Sequence, residues 1–326
     1  MELRTIVNTD PSAERIDYST KVMLIGSCFA TEIGMKMHSG RLPVMINPSG
    51  TVYNPVSVSK TLELAIENRK FTAEDLYDNK GTWLSFHHYT EFSAGSPERV
   101  LEKINRRTEE AHEFIRSAKF LFLTFGTARI YRWKPSGMIV SNCHKIPSAS
   151  FEQELLSVND IVSLWKNQLD TLHALSPDMK VVFTVSPIRH WKDGAHGNQV
   201  SKSTLILAIE ELLDHPAVYS YFPAYEIVMD DLRDYRFYAG DMLHLSETAI
   251  DYVWNAFSGS FITREALDIW KEVDRITKAV GHRLPEDSNS DIKKFAGRLL
   301  TRIEEVTKKV PSIDLKREKT YFSGLL

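Results

Sequence analysis

The stretch Val22-Met23-Leu24-Ile25-Gly26-Ser27-Cys28-Phe29-Ala30 decides how the rest of the chain is arranged. Its four leading apolar residues predict a strand that is buried on both faces, as in a parallel sheet covered by helices. Gly26 ends this run. Apolar residues then recur every fourth position from Phe29 to Met37, which predicts an amphipathic helix. Ser27 is therefore expected at a turn between a strand and a helix.

A serine at this turn has two interpretations. The first N–H groups of a helix have no acceptor within the helix and carry partial positive charge, so they can stabilise an oxyanion formed when Ser27 attacks a carbonyl. The simpler interpretation is that Ser27 is only the N-cap and accepts a hydrogen bond from one of those groups. This stretch taken alone favours the N-cap.

The composition is that of a folded globular protein. The chain has 326 residues, of which 43% are hydrophobic and 25% charged. This length can bury a sizeable core, either as one large domain or as one domain with an appendage. The formal net charge of −3 argues against a general electrostatic binder of nucleic acids. The sequence does not predict an oligomeric state.

Cysteine content and hydropathy exclude further classes. The two cysteines, Cys28 and Cys143, cannot form a disulfide framework, and Cys28 is expected to be a small packing residue. Cys143 and His144 are too few ligands for a zinc site. The first twenty residues lack the apolar centre of a signal peptide, and no apolar run approaches the ~20 residues of a membrane span. We therefore expect a cytoplasmic protein with no membrane span, metal or cofactor.

Strands alternate with helices of ten or more residues over the first 260 residues. This alternation predicts an α/β fold, a three-layer sandwich around a mostly parallel sheet. The aromatic-rich residues 219–228 are predicted to be extended. Ligands of such sheets bind at the carboxyl ends of the strands. The polar or turn residues expected to converge there are Ser27, Gly50, Gly126, Thr127, Arg189 and His190.

The character of the chain changes after residue 261. Residues 269–280 and 291–309 have apolar positions at helical spacing with many charges between them. Because a charged helix face is most often a solvated one, these segments predict helices that pack on the main domain. We therefore predict an α/β domain over residues 1–261 and a helical C-terminal extension over residues 262–326.

Asp241-Met242-Leu243-His244 changes the interpretation of Ser27. An aspartate and a histidine three residues apart can lie on the same face of a single turn. The carboxylate can then hold the imidazole in the tautomer that accepts a proton from a serine. A D-x-x-H match alone is common, but this one lies at the end of the last predicted α/β unit.

Together, Ser27 after the first strand and the late D-x-x-H resemble the SGNH (GDSL-like) hydrolase superfamily. Residues 26–30 also spell the name motif of the GSCFA family, which is SGNH-like. The resemblance covers residues 20–260, a domain-sized span. Further segments that look like this family are Thr124-Phe125-Gly126-Thr127, Asn142-Cys143-His144-Lys145, Ser186-Pro187-Ile188-Arg189-His190 and Asp234-Tyr235-Arg236-Phe237-Tyr238.

The resemblance implies a catalytic triad. Ser27 would be the nucleophile, His244 the general base and then acid, and Asp241 the residue that orients His244. It implies an SGNH/flavodoxin-like fold and a serine esterase or acyl-transfer enzyme that acts on a small-molecule or glycan ester, with an acetylated carbohydrate as the expected substrate. The alternative is a non-catalytic module that binds a ligand such as a carbohydrate in the retained cleft.

The oxyanion hole departs from the superfamily pattern. Gly50 is the candidate for the glycine N–H of the second block, although a plain turn glycine explains it equally well. The third block supplies an asparagine in G-x-N-D, but Ala128 stands at that position. The missing donor is typically worth ~3 kcal/mol of transition-state stabilisation. Asn142 is our first candidate to replace it and Asn54 our second.

The remaining candidates concern substrate binding. Arg189 and His190 are expected either to bind a carboxylate or phosphate of the substrate or to form a structural ion pair. Thr127 and His144 are further candidates, since they belong to segments that resemble the family. The missing asparagine is what motivates the alternative of a non-catalytic module.

Overall fold

A computed structural model describes residues 4–281 and 289–326 of the protein. The strands are β1 (Val22–Gly26), β2 (Val44–Ile46), β3 (Tyr77–Asn79), β4 (Thr82–Leu84), β5 (Phe120–Phe125), β6 (Arg129–Trp133), β7 (Met138–Val140), β8 (Phe151–Leu155), β9 (Lys180–Val185) and β10 (Val218–Tyr221). The helices are α1 (Cys28–Ser39), α2 (Pro55–Glu67), α3 (Pro97–Ile115), α4 (Val158–Leu175), α5 (Gly194–Leu212), α6 (Ala224–Glu226), α7 (Glu247–Phe261), α8 (Arg264–Val280), α9 (Asn289–Lys309) and α10 (Lys316–Ser323).

The central sheet has five parallel strands in the order β10-β9-β5-β1-β2. Val22 of β1 pairs with Val44 of β2 on one side and with Phe120 of β5 on the other. The strand order therefore reverses at β1, as in the flavodoxin-like arrangement. A reversal of this kind leaves a crevice at the carboxyl end of the central strands, and residue 27 lies beside it.

The side chains of β1 alternate between two hydrophobic cores. Val22 and Leu24 pack with α1, α7 and α8, whereas Met23 and Ile25 pack with α2, α4 and α5. All four side chains are buried. The predicted three-layer α/β sandwich is thus confirmed, and so is the prediction that this strand is covered on both faces.

Two small antiparallel sheets are inserted between α2 and α4. β3 and β4 form a hairpin, and β6 lies between β7 and β8 in a three-stranded sheet. Their apolar side chains share a separate small cluster that includes Phe86 and Phe151. None of the described helices combines the length and the apolar character needed to cross a bilayer.

The prediction of extended structure over residues 219–228 is wrong in its second half. Strand β10 ends at Tyr221, and residues 224–231 are helical, with a short π-helical turn over Ile227–Asp231. Phe222, Ile227 and Val228 are buried in the core. Tertiary packing therefore prevails over the aromatic and β-branched composition that favours strands.

The C-terminal helices pack on the first helix of the sandwich. The indole N–H of Trp270 on α8 donates to the carbonyl of Lys36 on α1 at 2.6 Å. α9 and α10 share their apolar side chains with the same core as α1. Glu318 of α10, whose side chain is buried, forms an ion pair with Arg41 at 2.6 Å.

We predict that Gly26→Ala lowers the free energy of unfolding by about 4 kcal/mol or more. Gly26 has a φ of +147°, and an added Cβ would lie 2.2 Å from the carbonyl oxygen of Thr124 in β5. The matched control is Gly81→Ala, since Gly81 also has a positive φ (+86°) but nothing lies within 4 Å of its added Cβ. This control should cost only about 1 kcal/mol. Equal losses of stability in urea denaturation would contradict the prediction.

Candidate active site

Ser27 lies at the turn that the sequence predicted. It is the N-cap of α1, its Oγ accepts a hydrogen bond from the N–H of Phe29 at 3.3 Å, and only 2% of the residue is exposed. The turn itself is fixed from the neighbouring loop, because the N–H of Gly26 donates to Oδ1 of Asn47 at 2.8 Å. The N-cap role is therefore real, and any catalytic role would be additional to it.

The D-x-x-H segment forms a compact turn around one carboxylate. Nδ1 of His244 lies 2.5 Å from Oδ2 of Asp241, and Oδ1 accepts the backbone N–H groups of Leu243 and His244. The hydrogen bond from the His244 ring, followed by these two, holds the pKa of the Asp241 carboxyl well below its usual range. With the proton assigned to Nδ1 by this contact, Nε2 is left as the acceptor.

One cavity of about 390 Å³ brings the two halves of the site together. It lies at the carboxyl ends of β1, β5 and β9. Its lining residues are Ser27, Cys28, Tyr53, Gly126, Thr127, Ser186, Ile188, Arg189, His190, Trp191, Lys192, Leu243 and His244. The structure thus brings together six of the residues proposed from the sequence: Ser27, Gly126, Thr127, Arg189, His190 and His244.

Arg189 connects the sheet to the D-x-x-H loop. Its Nη2 donates to the carbonyl of Met242 at 2.6 Å, and its guanidinium carbon lies over the rings of Trp191 and Tyr238, 5.1 Å from each centroid. Met242 has a φ of +59°, unusual for a residue other than glycine. Among the described residues, this is the one hydrogen bond that joins residues 239–244 to the sheet.

Arg189 and His190 were expected either to bind the substrate or to form a structural ion pair, and the structure distinguishes between these roles. His190 has a structural partner, since its Nδ1 lies 2.8 Å from Oδ2 of Asp193, and Nε of Arg129 forms an ion pair with the same oxygen at 3.1 Å. Burial opposes ionisation of Asp193, but hydrogen bonds from His190 and Gln153 outweigh it and lower the pKa. Arg189 forms no ion pair with any carboxylate of the described residues.

The N–H of Gly50, which was proposed as an oxyanion donor, already takes part in another hydrogen bond. The N–H of Gly50 donates to the carbonyl of Asn47 at 2.8 Å within a turn, and Gly50 does not line the cavity. Since an amide has one hydrogen, this arrangement agrees with the plain turn glycine that was the alternative.

The proposed asparagine donors do not line the cavity either. Oδ1 of Asn54 caps α2 by accepting the N–H of Ser57 at 2.9 Å. Oδ1 of Asn142 accepts the N–H of His144 at 2.7 Å. His144 is buried near the small sheets, where Nε2 contacts the carbonyl of Ser85 at 3.0 Å. The structure therefore places Asn54 and Asn142 outside the cavity, contrary to the prediction. Neither side chain replaces the oxyanion donor that is missing at Ala128.

Thr127 lines the cavity, but its donors are also engaged. The N–H groups of Gly126 and Thr127 both donate to the carbonyl of Tyr53, at 2.7 and 2.9 Å. The hydroxyl of Thr127 contacts the hydroxyl of Ser201 at 3.0 Å. Ala128, which stands at the asparagine position, is fully buried in the core.

Residues 21–257 match the model of the GSCFA family. The chain belongs to this family. The resemblance to the GSCFA family drawn from residues 26–30 is thereby confirmed. None of the curated proteins matches the GSCFA chain significantly.

Solved structures resemble the GSCFA chain only distantly. One is a candidate platelet activating factor from Streptococcus pneumonia (TM-score 0.38, 11% identity, 73% of this chain and 82% of that chain covered). Another is a carbohydrate esterase family 3 protein from Talaromyces cellulolyticus (0.35, 8%, 78% and 99%). A third is an acetyl xylan esterase from the rumen bacterium Butyrivibrio proteoclasticus (0.35, 11%, 81% and 64%). Similarities this weak carry no functional argument.

The sequence reasoning missed Lys202, which lies beneath the cavity. The residue is 1% exposed, and its Nζ donates to the carbonyls of Gly126 at 2.7 Å and Ser186 at 2.6 Å. Both acceptors line the cavity. The signal was present, since Lys202 lies three residues before Leu205 on the apolar stripe of α5. A lysine at such a position is buried and must find acceptors.

Residues that could hold a metal are not grouped in the site. Over residues 4–281 and 289–326, no three histidine, cysteine, aspartate or glutamate side chains come together in a metal-binding arrangement. The side chains that could carry chemistry at the cavity of the GSCFA protein are four hydroxyls, one thiol, two imidazoles and two cations.

We predict that Lys202 makes the free energy of unfolding of this GSCFA protein depend on pH. Burial lowers the pKa of Lys202 to about 7, whereas its ordinary value is 10.5. Between these values the unfolded chain binds more protons than the folded one, so the free energy of unfolding rises with pH, with a slope of up to about 1.4 kcal/mol per pH unit. We expect this contribution to be lost in Lys202→Met.

The measurement is urea denaturation of the native protein and the variant at several pH values from neutral upward. The difference between the two free energies should grow with pH in favour of the native protein. Lys166→Met, at an exposed position of α4, is the matched control and should keep the native slope. Parallel pH profiles for native protein and Lys202→Met would show that Lys202 does not titrate in this range.

Proposed function

We propose that the protein is a serine esterase or acyl-transfer enzyme that acts on a small-molecule or glycan ester, with Ser27, His244 and Asp241 as its triad. One observation carries the proposal. The hydroxyl of Ser27 and the imidazole of His244, the latter oriented by Asp241, line the same cavity at the carboxyl ends of the central strands. This is the position at which ligands bind in open α/β sheets.

The reaction would proceed in two steps. In the first, Oγ of Ser27 attacks the ester carbonyl and its proton passes to Nε2 of His244, which then protonates the departing alcohol. In the second, His244 takes a proton from water or an acceptor hydroxyl, whose oxygen attacks the acyl group. The proton then returns to Ser27 as its ester bond breaks. Asp241 stabilises the imidazolium in both steps.

Helix α1 supports the charge that develops on the oxyanion. Its axis begins at Ser27, and the N–H of Cys28 is at the first helical position, where the helix offers no acceptor. The N–H groups of Gly50, Gly126 and Thr127 are engaged elsewhere. We therefore propose that the N-terminus of α1 stabilises the oxyanion, aided by the cations around the cavity.

One rearrangement is required before the first step. The hydroxyl of Ser27 contacts the N–H of Phe29, and the hydrogen bonds within residues 4–281 and 289–326 do not include one from Ser27 to His244. Catalytic hydrogen bonds are often loose without substrate and tighten in the complex. We propose that Ser27 turns towards Nε2 of His244 when the ester binds.

We predict that a fluorophosphonate probe labels Ser27 and that His244→Ala reduces the labelling rate at least 100-fold. The reason is that a buried hydroxyl becomes nucleophilic only when a base removes its proton. Mass spectrometry of the labelled protein locates the adduct. His173→Ala, at an exposed position of α4, is the matched control and should label at the native rate.

Ser27→Ala provides the second readout. It should abolish hydrolysis of short acyl esters while lowering stability by only about 1 kcal/mol, the usual cost of a lost N-cap. A folded Ser27→Ala variant that hydrolyses esters at the native rate would rule out the mechanism, as would labelling of native protein at another residue.

The alternative function is a non-catalytic module that binds a carbohydrate or a similar ligand in the same cavity. It is favoured by the buried Ala128 at the asparagine position and by the engaged N–H groups around it. The half-exposed ring of Trp191 would then offer a flat surface for a sugar. Thermal stabilisation by a ligand with no turnover of any ester, and no probe labelling of Ser27, would favour this function.

A further inference from the structure

The cavity beside Ser27 is lined by cations without a carboxylate. Arg189 and Lys192 are positively charged at neutral pH, and none of the thirteen lining residues is acidic. Lys202 adds a buried amino group beneath the floor of the cavity. An arrangement of one sign in a recess concentrates the field and attracts a ligand of opposite charge.

Two carboxylates beside the cavity, those of Asp193 and Asp241, are hydrogen-bonded to other groups. Asp193, whose side chain is 7% exposed, contacts both His190 and Arg129. Asp241 lies behind His244 and accepts three hydrogen bonds from its own loop. Neither carboxylate lines the cavity, and neither forms an ion pair with Arg189 or Lys192.

Arg189 is held with most of its donors unused. Of its five N–H groups, the described structure engages one, through Nη2, at the carbonyl of Met242. Its Nε is buried and has no acceptor among the described residues. The guanidinium carbon lies 5.1 Å from the ring centroids of both Trp191 and Tyr238, which help to hold it in place. A rigid guanidinium with free donors is suited to a carboxylate or phosphate, which it can bind with two parallel hydrogen bonds.

We propose that the cavity takes an anionic ester, and that Arg189 receives a carboxylate or phosphate carried by the substrate while Ser27 attacks the ester carbonyl. This inference rests on the proposed function and specifies its substrate class. Lys192, exposed at the rim and without an ion pair among the described residues, adds attraction for the same group. Because Arg189 also holds the loop of His244, an anion bound to it would stabilise the loop that carries the general base.

The test compares matched esters that differ only in charge. The first pair is 3-acetoxy-4-nitrobenzoate and 2-nitrophenyl acetate, which release the same type of nitrophenol with and without a carboxylate. The second pair is the acetyl ester of glycerol 3-phosphate and that of glycerol, followed by release of acetate. We expect kcat/KM for the anionic member to exceed that of its neutral partner at least tenfold in one pair, and the pair that shows it identifies carboxylate or phosphate.

Substitutions of Arg189 and Lys192 test whether these two side chains cause the preference for anionic esters. In Arg189→Gln the ratio of anionic to neutral kcat/KM should fall close to that of the uncatalysed reactions, and Arg189→Lys should retain part of the preference. Lys192→Gln should lower the ratio about threefold, and it serves as the test if Arg189→Gln does not fold. The control Lys166→Gln removes an exposed charge from α4 and should keep the native ratio. Salt at about 0.5 M should reduce the preference, because ionic strength screens the attraction.

The outcomes separate this inference from the proposed function. Hydrolysis that depends on Ser27 but shows no preference for either anionic ester overturns the inference alone. If no ester is hydrolysed, the melting temperature of the protein with and without each ligand tests the anion site. Stabilisation by 3-hydroxy-4-nitrobenzoate but not by 2-nitrophenol, or by glycerol 3-phosphate but not by glycerol, would support the anion site without the esterase if it is lost in Arg189→Gln. No stabilisation would overturn it.

Discussion

The close contact between residue 26 and strand β5 is the constraint on which the site depends. Only a residue without a side chain can lie against the carbonyl of Thr124 with a φ of +147°. The same residue is held from the other side, where its N–H donates to Asn47 and its carbonyl accepts the N–H of Val52. With Gly26 fixed in this way, the next residue must begin a helix at the reversal of the strand order. Ser27 lies at the crevice for this reason.

The opposite wall of the cavity is less firmly built. The Asp241–His244 turn is ordered by its own hydrogen bonds, and both side chains are about half exposed. Its connection to the sheet is the hydrogen bond from Arg189, which spans from the end of β9 to Met242. Arg189 therefore both holds the loop that carries His244 and contributes positive charge to the cavity. In the proposed enzyme, binding of an anion at Arg189 and positioning of His244 would therefore not be independent.

Buried polar groups hold the floor of the cavity together. Lys202 joins the ends of β5 and β9 through two carbonyls, and Tyr53 accepts the N–H groups of Gly126 and Thr127. Each of these contacts consumes a donor or acceptor that would otherwise be costly to bury. The same contacts engage the N–H groups of Gly126 and Thr127, which are therefore not free to stabilise an oxyanion.

The sequence by itself determined the parallel α/β sandwich, the turn at Ser27, the Asp241–His244 pair and the family. These features follow from local patterns, namely apolar periodicity, a glycine at a strand end and a three-residue spacing. Only the tertiary structure decided which donors are free, because Gly50 and Asn142 bond to neighbours that the sequence does not reveal. It also decided that residues 224–231 are helical, that Lys202 lies beneath the cavity and that Arg189 has no carboxylate partner among the described residues. Hydrogen bonds and ion pairs between distant segments depend on ångström-scale distances, which residue type and spacing along the chain do not fix.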